Sequence, residues 1–233
     1  SRANILAQRR DQCGVTGLMS AQALILDFGG VISRTLFETH ALTEQALELP
    51  TGCLTWQGPF NPSNDSLWQS MQADEISERD YWMQRTQEVG QLVGQQWTSM
   101  QQFVIAARGA DPMQVIRPEF IDTLQRTQAA GVRLAILSNE LDLFYGAEFR
   151  TKLPFLSEFE AIVDATYTQI LKPDPRAYHQ VLEQLDLKPE QCIFVDDQLR
   201  NINGALECGL KTVHFNVHNP ADSYAAALQH FNL

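Results

Sequence analysis

The residues Ala23-Leu24-Ile25-Leu26 form an unbroken apolar run that stops at Asp27-Phe28-Gly29-Gly30. A strand that is apolar at every position, rather than at every second one, suits a parallel sheet covered on both faces, and the glycine pair after it demands a turn. From about residue 36 to residue 117 no comparable run occurs. Leu42, Ala46 and Leu49 recur at helical spacing. Ser77-Glu78-Arg79-Asp80 has the form of a capping box ahead of Tyr81, Trp82 and Met83, and Gly58, Pro59 and Pro62 mark a loop between helical pieces. This stretch predicts a small all-helical insertion.

Regular alternation of helix and strand follows it. Pro118 opens a helix over residues 118–130 with Gly131 as its cap, and residues 132–137 make a strand ending at Ser138-Asn139. Residues 161–163 make another strand. Asp174-Pro175 starts a helix through Leu185, and residues 192–195 make a strand ending at Asp196-Asp197. A helix to Cys208, capped by Gly209, a strand over 212–215 and a helix opened by Asn219-Pro220 complete the chain. The pattern predicts an α/β, Rossmann-like parallel-sheet core over residues 21–35 and 118–233, interrupted by the helical block 36–117. Met19 suits a natural start, so residues 1–20 are set aside as a tail or expression remnant.

Composition narrows the function classes. The 233 residues are 44% apolar with net charge −11, and no Lys/Arg cluster occurs. A nucleic-acid binder normally presents a basic face, so none is expected as partner. No run of about eighteen apolar residues is present, so no membrane partner is expected either. Cys13, Cys53, Cys192 and Cys208 form no CxxC pair and have no histidine cluster beside them, which fits reduced thiols in a cytoplasmic protein. His179, His214, His218 and His230 show no metal spacing. Trp68, Tyr81, Trp82 and Trp97 read first as core of the helical block.

Candidate chemistry gathers where strands end. In an open parallel sheet, ligands bind outside the carboxyl ends of the strands. Asp27, Ser138-Asn139 and Asp196-Asp197 all fall there, with Lys172 just ahead of a helix start. Taken singly, each has a plain alternative. Asp27 and Ser138-Asn139 suit turns, Asp196-Asp197 suit helix caps, Lys172 suits a solvated loop and Asn201 a polar helix face. Together they are complementary. A carboxylate can attack phosphorus, Mg²⁺ takes hard oxygen ligands such as Asp27 and Asp196, and a hydroxyl with neighbouring N–H groups can hold phosphate oxygens. Lys172 can balance charge as a point cation, and positioning with charge neutralisation is most of what phosphoryl transfer needs.

This set resembles the four motifs of the haloacid dehalogenase-like hydrolases in family order: Asp27-Phe28-Gly29-Gly30-Val31, then Leu137-Ser138-Asn139, then Lys172-Pro173-Asp174-Pro175, then Val195-Asp196-Asp197 through Asn201-Ile202-Asn203-Gly204-Ala205 and Gly209. The resemblance covers about residues 23–215, and the helical block stands where the family carries its inserted type I cap. It implies a hydrolase of a small phosphate monoester, such as a sugar phosphate, with Asp27 as nucleophile and Lys172 beside it. Ser138, Asn139 and Gly30 would be at the phosphoryl group. Mg²⁺ would sit on Asp27, the Gly29 carbonyl and Asp196, with Asp197 and Asn201 behind these ligands. A monomer or homodimer acting on a small phosphorylated metabolite is expected.

One departure bears on the chemistry. Most phosphatases of the family have aspartate two places after the nucleophile, where it protonates the leaving oxygen; this chain has Gly29. Phosphatases of the α-D-glucose-1-phosphate group share that glycine. Glu38 and His40 are the stand-ins suggested by position. The dehalogenase branch also lacks the second aspartate and needs no metal, so a 2-haloacid dehalogenase is the alternative enzyme. A catalytically weakened protein that binds a phosphorylated ligand is the non-enzymatic one.

Overall fold

The computed structural model describes residues 20–233, so the set-aside segment and Cys13 lie outside the described residues, Ser20 excepted. Five strands, β1 (Ala23–Leu26), β2 (Arg133–Ser138), β3 (Ala161–Asp164), β4 (Cys192–Asp196) and β5 (Lys211–His214), pair in parallel in the order β3-β2-β1-β4-β5. Central β1 explains its own composition. Leu24 and Leu26 enter the apolar cluster on one face, Ala23 and Ile25 the cluster on the other, and all four are fully buried.

Eleven α-helices accompany the sheet among the described residues. Four precede the return to it: α1 (His40–Ala46), α2 (Ser66–Gln72), α3 (Glu78–Leu92) and α4 (Met100–Arg108). The others are α5 (Pro118–Ala129), α6 (Leu141–Tyr145), α7 (Ala147–Thr151), α8 (Ala165–Thr168), α9 (Pro175–Leu185), α10 (Leu199–Glu207) and α11 (Pro220–Gln229). Helices α5 and α11 cover one face of the sheet through Phe120, Leu124, Tyr224 and Ala227. Helices α9 and α10 cover the other through Tyr178, Val181, Ile202 and Ala205. The architecture is the expected Rossmann-like parallel core with a helical insertion. None of the described helices is long and apolar enough to cross a membrane.

Between β1 and α5 the chain forms no strand, only helices and short turns. Ser77 and Asp80 make the expected reciprocal capping box at the start of α3. Helix α1 stops at Ala46, three residues short of Leu49, because Glu48 adopts φ +54 ahead of Pro50. The Glu44 carboxylate then gathers the loop by accepting from the Gly52 and Leu54 amides. Trp68, Tyr81 and Trp82 are buried in a third apolar cluster, around Phe37. At its base lies Asp65, 1% exposed, which accepts hydrogen bonds from the Gly58 and Trp68 amides, from Tyr81 Oη and from Arg85 Nη2.

The two chain segments joining this block to the sheet pair with each other. Arg34 N donates to Val115 O at 2.7 Å and Arg117 N to Ile32 O at 3.0 Å. The buried Arg117 guanidinium then donates to Gly30 O and to both oxygens of Glu38.

Candidate active site

Strand register sets the site. Leu26 is opposite both Ile136 and Val195, so Asp27, Ser138 and Asp196 all arrive within one step of one another at the carboxyl edge of the sheet. At Gly30, with φ +81, a Cβ would stand 2.9 Å from Asp197 Oδ2, so the turn after the first strand closes against the end of β4 only without a side chain. Oxygens of Asp27, Asp196 and Asp197 lie within 4.8 Å of one another.

Lys172 is 4% exposed and serves this cluster. Its Nζ donates to Leu137 O at 2.8 Å and to Asp196 Oδ2 at 2.7 Å, and lies 3.0 Å from Asp27 Oδ1. The Asn139 side chain locks the lysine's backbone from both sides, accepting from Lys172 N at 2.7 Å and donating to Lys172 O at 3.2 Å. Helix α10 presses on the same segment. A Cβ on Gly204 would meet Pro173 Cβ at 2.8 Å and Tyr178 Oη at 2.9 Å.

The two neighbouring aspartates are unequal. Asp196 is fully buried and both of its oxygens are engaged, Oδ1 by the Gln198 amide and Asn201 Nδ2, Oδ2 by Lys172 and Asn201 Nδ2. Asp197 lines the cavity and has a single contact at 3.4 Å, from Gln198 Nε2. Burial, then the charges of Asp196, Asp27 and Glu78, hold the Asp197 carboxyl well above the usual carboxylate range. Burial likewise pushes Asp27 up to about 7, against the pull of Lys172 and with Asp196 adding to the rise. Burial lowers the Lys172 ammonium, but the two aspartates outweigh it, and its pKa is raised. Three carboxylates thus share one cation, with hard oxygen donors facing a cavity. The donor set fits Mg²⁺.

The cavity holds about 100 Å³ of open space. Asp27, Gly29, Gly30, Ser138, Asn139 and Lys172 line its polar end, and Leu36, Phe37, Trp68, Trp82, Met100 and Phe144 its apolar wall. Asp197 and Asn201 line it too, and Asp196 lies buried behind Lys172 without reaching the cavity. The positional stand-ins are engaged elsewhere. The Glu38 carboxylate is held by Arg117 and Thr35 in the connection between block and sheet, and the His40 ring is turned to the Trp56 carbonyl. Neither side chain lines the cavity beside Asp27.

Sequence reasoning passed over Asp164, Tyr145 and Arg117. Asp164 ends β3 opposite Ser138 and accepts from the Leu141 and Asp142 amides, fixing the start of α6, whose last residue, Tyr145, lines the cavity. An aspartate after a third apolar run was a readable signal. Tyr145 and Arg117 carried none, because their roles depend on contacts made across the fold.

The haloacid dehalogenase-like hydrolase family model matches residues 21–209. Over 117 residues the chain is 32% identical to (S)-2-haloacid dehalogenase 1 of a Pseudomonas species, covering 50% of this chain and 51% of that one. It is 25% identical over 130 residues to phosphoglycolate phosphatase of Pseudomonas putida, covering 54% and 47%. The matched segment spans about half the length of these relatives. Among solved structures, an L-2-haloacid dehalogenase superposes with a TM-score of 0.53 at 18% identity, covering 84% of this chain and 87% of that one. A phosphatase from Thermococcus onnurineus does so with 0.52 at 16%, covering 84% and 86%. These two likenesses concern the fold. The family match runs through every strand end that carries the site, and the chain belongs to the haloacid dehalogenase-like hydrolases.

Proposed function

We propose that this hydrolase is a Mg²⁺-dependent phosphatase of small phosphate monoesters that works through an aspartyl-phosphate on Asp27. The observation that carries the reading is the meeting of Asp27, Asp196 and Asp197, with oxygens within 4.8 Å of one another and Lys172 paired to the first two; a divalent ion would offset their mutual repulsion and then hold a phosphate. Asp27, Asp197, the Gly29 carbonyl and, at its engaged edge, Asp196 would hold the ion. When bound, it supplies charge neutralisation for the phosphoryl group.

The chain's own residues do the rest. Asp27 Oδ attacks phosphorus, while Lys172 Nζ offsets the charge that gathers beside it. Ser138 Oγ and the Asn139 amide hold phosphoryl oxygens, and the Gly30 turn lets the group approach the backbone. Asn201 fixes the Asp196 carboxylate from behind. The apolar wall favours a leaving group with a carbon face, such as a sugar ring or an aryl group.

A panel of sugar phosphates, nucleotides and p-nitrophenyl phosphate, assayed for phosphate release with Mg²⁺ and then with EDTA, tests this. Release that the chelator abolishes is expected, and Asp27→Asn should stop turnover while leaving the fold intact. Undiminished phosphatase rate in that variant would sink the assignment. A second reading, 2-haloacid dehalogenase, is supported by the similarity to the Pseudomonas dehalogenase and by Lys172 bridging Asp27 and Asp196 unaided. Halide release from 2-chloropropionate, indifferent to EDTA, would replace the first reading with this one.

A further inference from the structure

Cleaving an alkyl phosphate needs a proton for the departing oxygen, since an alkoxide is a poor leaving group near pH 7. The groups around the cavity divide sharply on whether one is available. Lys172 is committed to two carboxylates and a carbonyl, and the Thr35 hydroxyl donates to Glu38 Oε2 at 2.8 Å. Glu140 is paired with Arg79, and Glu78 is 3.3 Å from Arg200 Nη2. Asp197 and Ser138 also line the cavity, but the phosphatase reading assigns them to the ion and to the phosphoryl oxygens. That leaves the Tyr145 hydroxyl, with a long contact to Ser33 Oγ at 3.4 Å and the Arg108 guanidinium beside it.

Its place is specific. Phe28 and Gly30 aside, Tyr145 Oη alone among the heavy atoms of the described residues comes within 4 Å of where a Cβ on Gly29 would stand, at 3.8 Å. A side chain carried by residue 29 would therefore start beside this hydroxyl. The ring is fixed there by Phe28 and Phe149, at centroid distances of 5.3 and 4.5 Å. Behind it lies the buried Arg108, whose Nε has no partner and whose lowering by burial is opposed first by the Tyr145 oxygen. A guanidinium so placed can face the charge left when a phenol gives up its proton.

We propose that Tyr145, reaching in from the end of α6, supplies the proton-transfer group that Gly29 lacks. The inference rests on the phosphatase reading. In the first half-reaction an Asp27 oxygen bonds to phosphorus as the P–OR bond breaks, and the Tyr145 proton passes to the departing oxygen. In the second, water adds to phosphorus, the bond to Asp27 breaks, and a proton of that water returns to Tyr145 Oη. The phenol is restored and no outside acid or base is consumed.

Tyr145→Phe keeps the ring packing and removes only the hydroxyl. With the alkyl phosphate turned over fastest in the panel, single-turnover cleavage should fall about 10²–10⁴-fold. With p-nitrophenyl phosphate, whose leaving group departs without a proton, the variant should release a burst of one nitrophenol per active site and then turn over slowly, with phosphate accumulating on Asp27. Wild-type rates on both esters would overturn the proposal, as would an equal slowing on both without a burst, which marks a merely structural loss. A wild-type enzyme that releases phosphate from neither ester would instead bring down the phosphatase reading, and this proposal with it.

Discussion

At the scale of the residue, the site is a problem of like charges. Burial, then the carboxylates of Asp196, Asp27 and Glu78, raise the Asp197 carboxyl well above its ordinary value. An unfolded aspartate ionises near 3.9. A carboxyl raised above that value contributes its full stability below the unfolded pKa and loses it as pH climbs through the folded one. In the presence of chelator, wild type should therefore lose stability as pH rises above the ordinary aspartate range. Asp197→Asn should melt higher than wild type at pH 8, by roughly 2–4 °C per kcal/mol relieved in a chain of this size. The gap should close as pH falls towards 4. Saturating Mg²⁺ should raise the wild-type melting temperature and leave the variant with a smaller gain. A gap that is the same at both pH values would mean that the aspartate carries no charge penalty.

At the scale of the element, α10 and the segment before α9 must touch almost backbone to backbone. Gly204→Ala would drive a methyl to 2.8 Å from Pro173 Cβ and 3.0 Å from Pro173 O, and neither can swing aside. The expected result is a loss of about 1–3 kcal/mol in urea unfolding. A fall of about 10²-fold in phosphate release should accompany it as Lys172 shifts. This is also the scale at which the sequence read best. Strand ends, the proline-started helices and the capping box follow from local chemistry, so β1, β2, β4, α3, α5, α9 and α11 were legible. The short helices α6, α7 and α8 were not. Each is four or five residues long, too short for a period to show, and α6 owes its start to Asp164 on a distant strand. Asp27, Lys172 and the aspartate pair could be read because strand ends converge. Tyr145 could not, because nothing local tells which way the last residue of a five-residue helix faces.

At the scale of the whole molecule, the helical block and the sheet are joined by several contacts, among them Arg79–Glu140, Glu78–Arg200 and the buried Arg117. Arg117 ties the Gly30 carbonyl beside the nucleophile to Glu38 at the entry of the helical block, with Phe215 of the sheet side beneath its guanidinium. Arg117→Met keeps an apolar stem but leaves the Gly30 carbonyl without its guanidinium donor and Glu38 with Thr35 alone, which costs about 1–3 kcal/mol. All four tryptophans, Trp56, Trp68, Trp82 and Trp97, lie in the block, so their fluorescence follows it alone while far-ultraviolet circular dichroism follows both bodies. Wild type should unfold with the two signals superimposed, and Arg117→Met with them separated. Coincident curves in the variant would show that the other contacts suffice and that Arg117 does not carry the coupling. The pairing of the two connections has one more consequence. Arg34 and Val115 stand a single hydrogen bond apart, so the chain between them leaves and re-enters at the same point, and the sheet meets a closed loop there. Such a loop is a cassette. A tight turn could in principle span its ends, and a different helical piece could be seated on the same nucleophile, so the part that meets the leaving group is free to diversify while the strand ends that do the chemistry stay as they are.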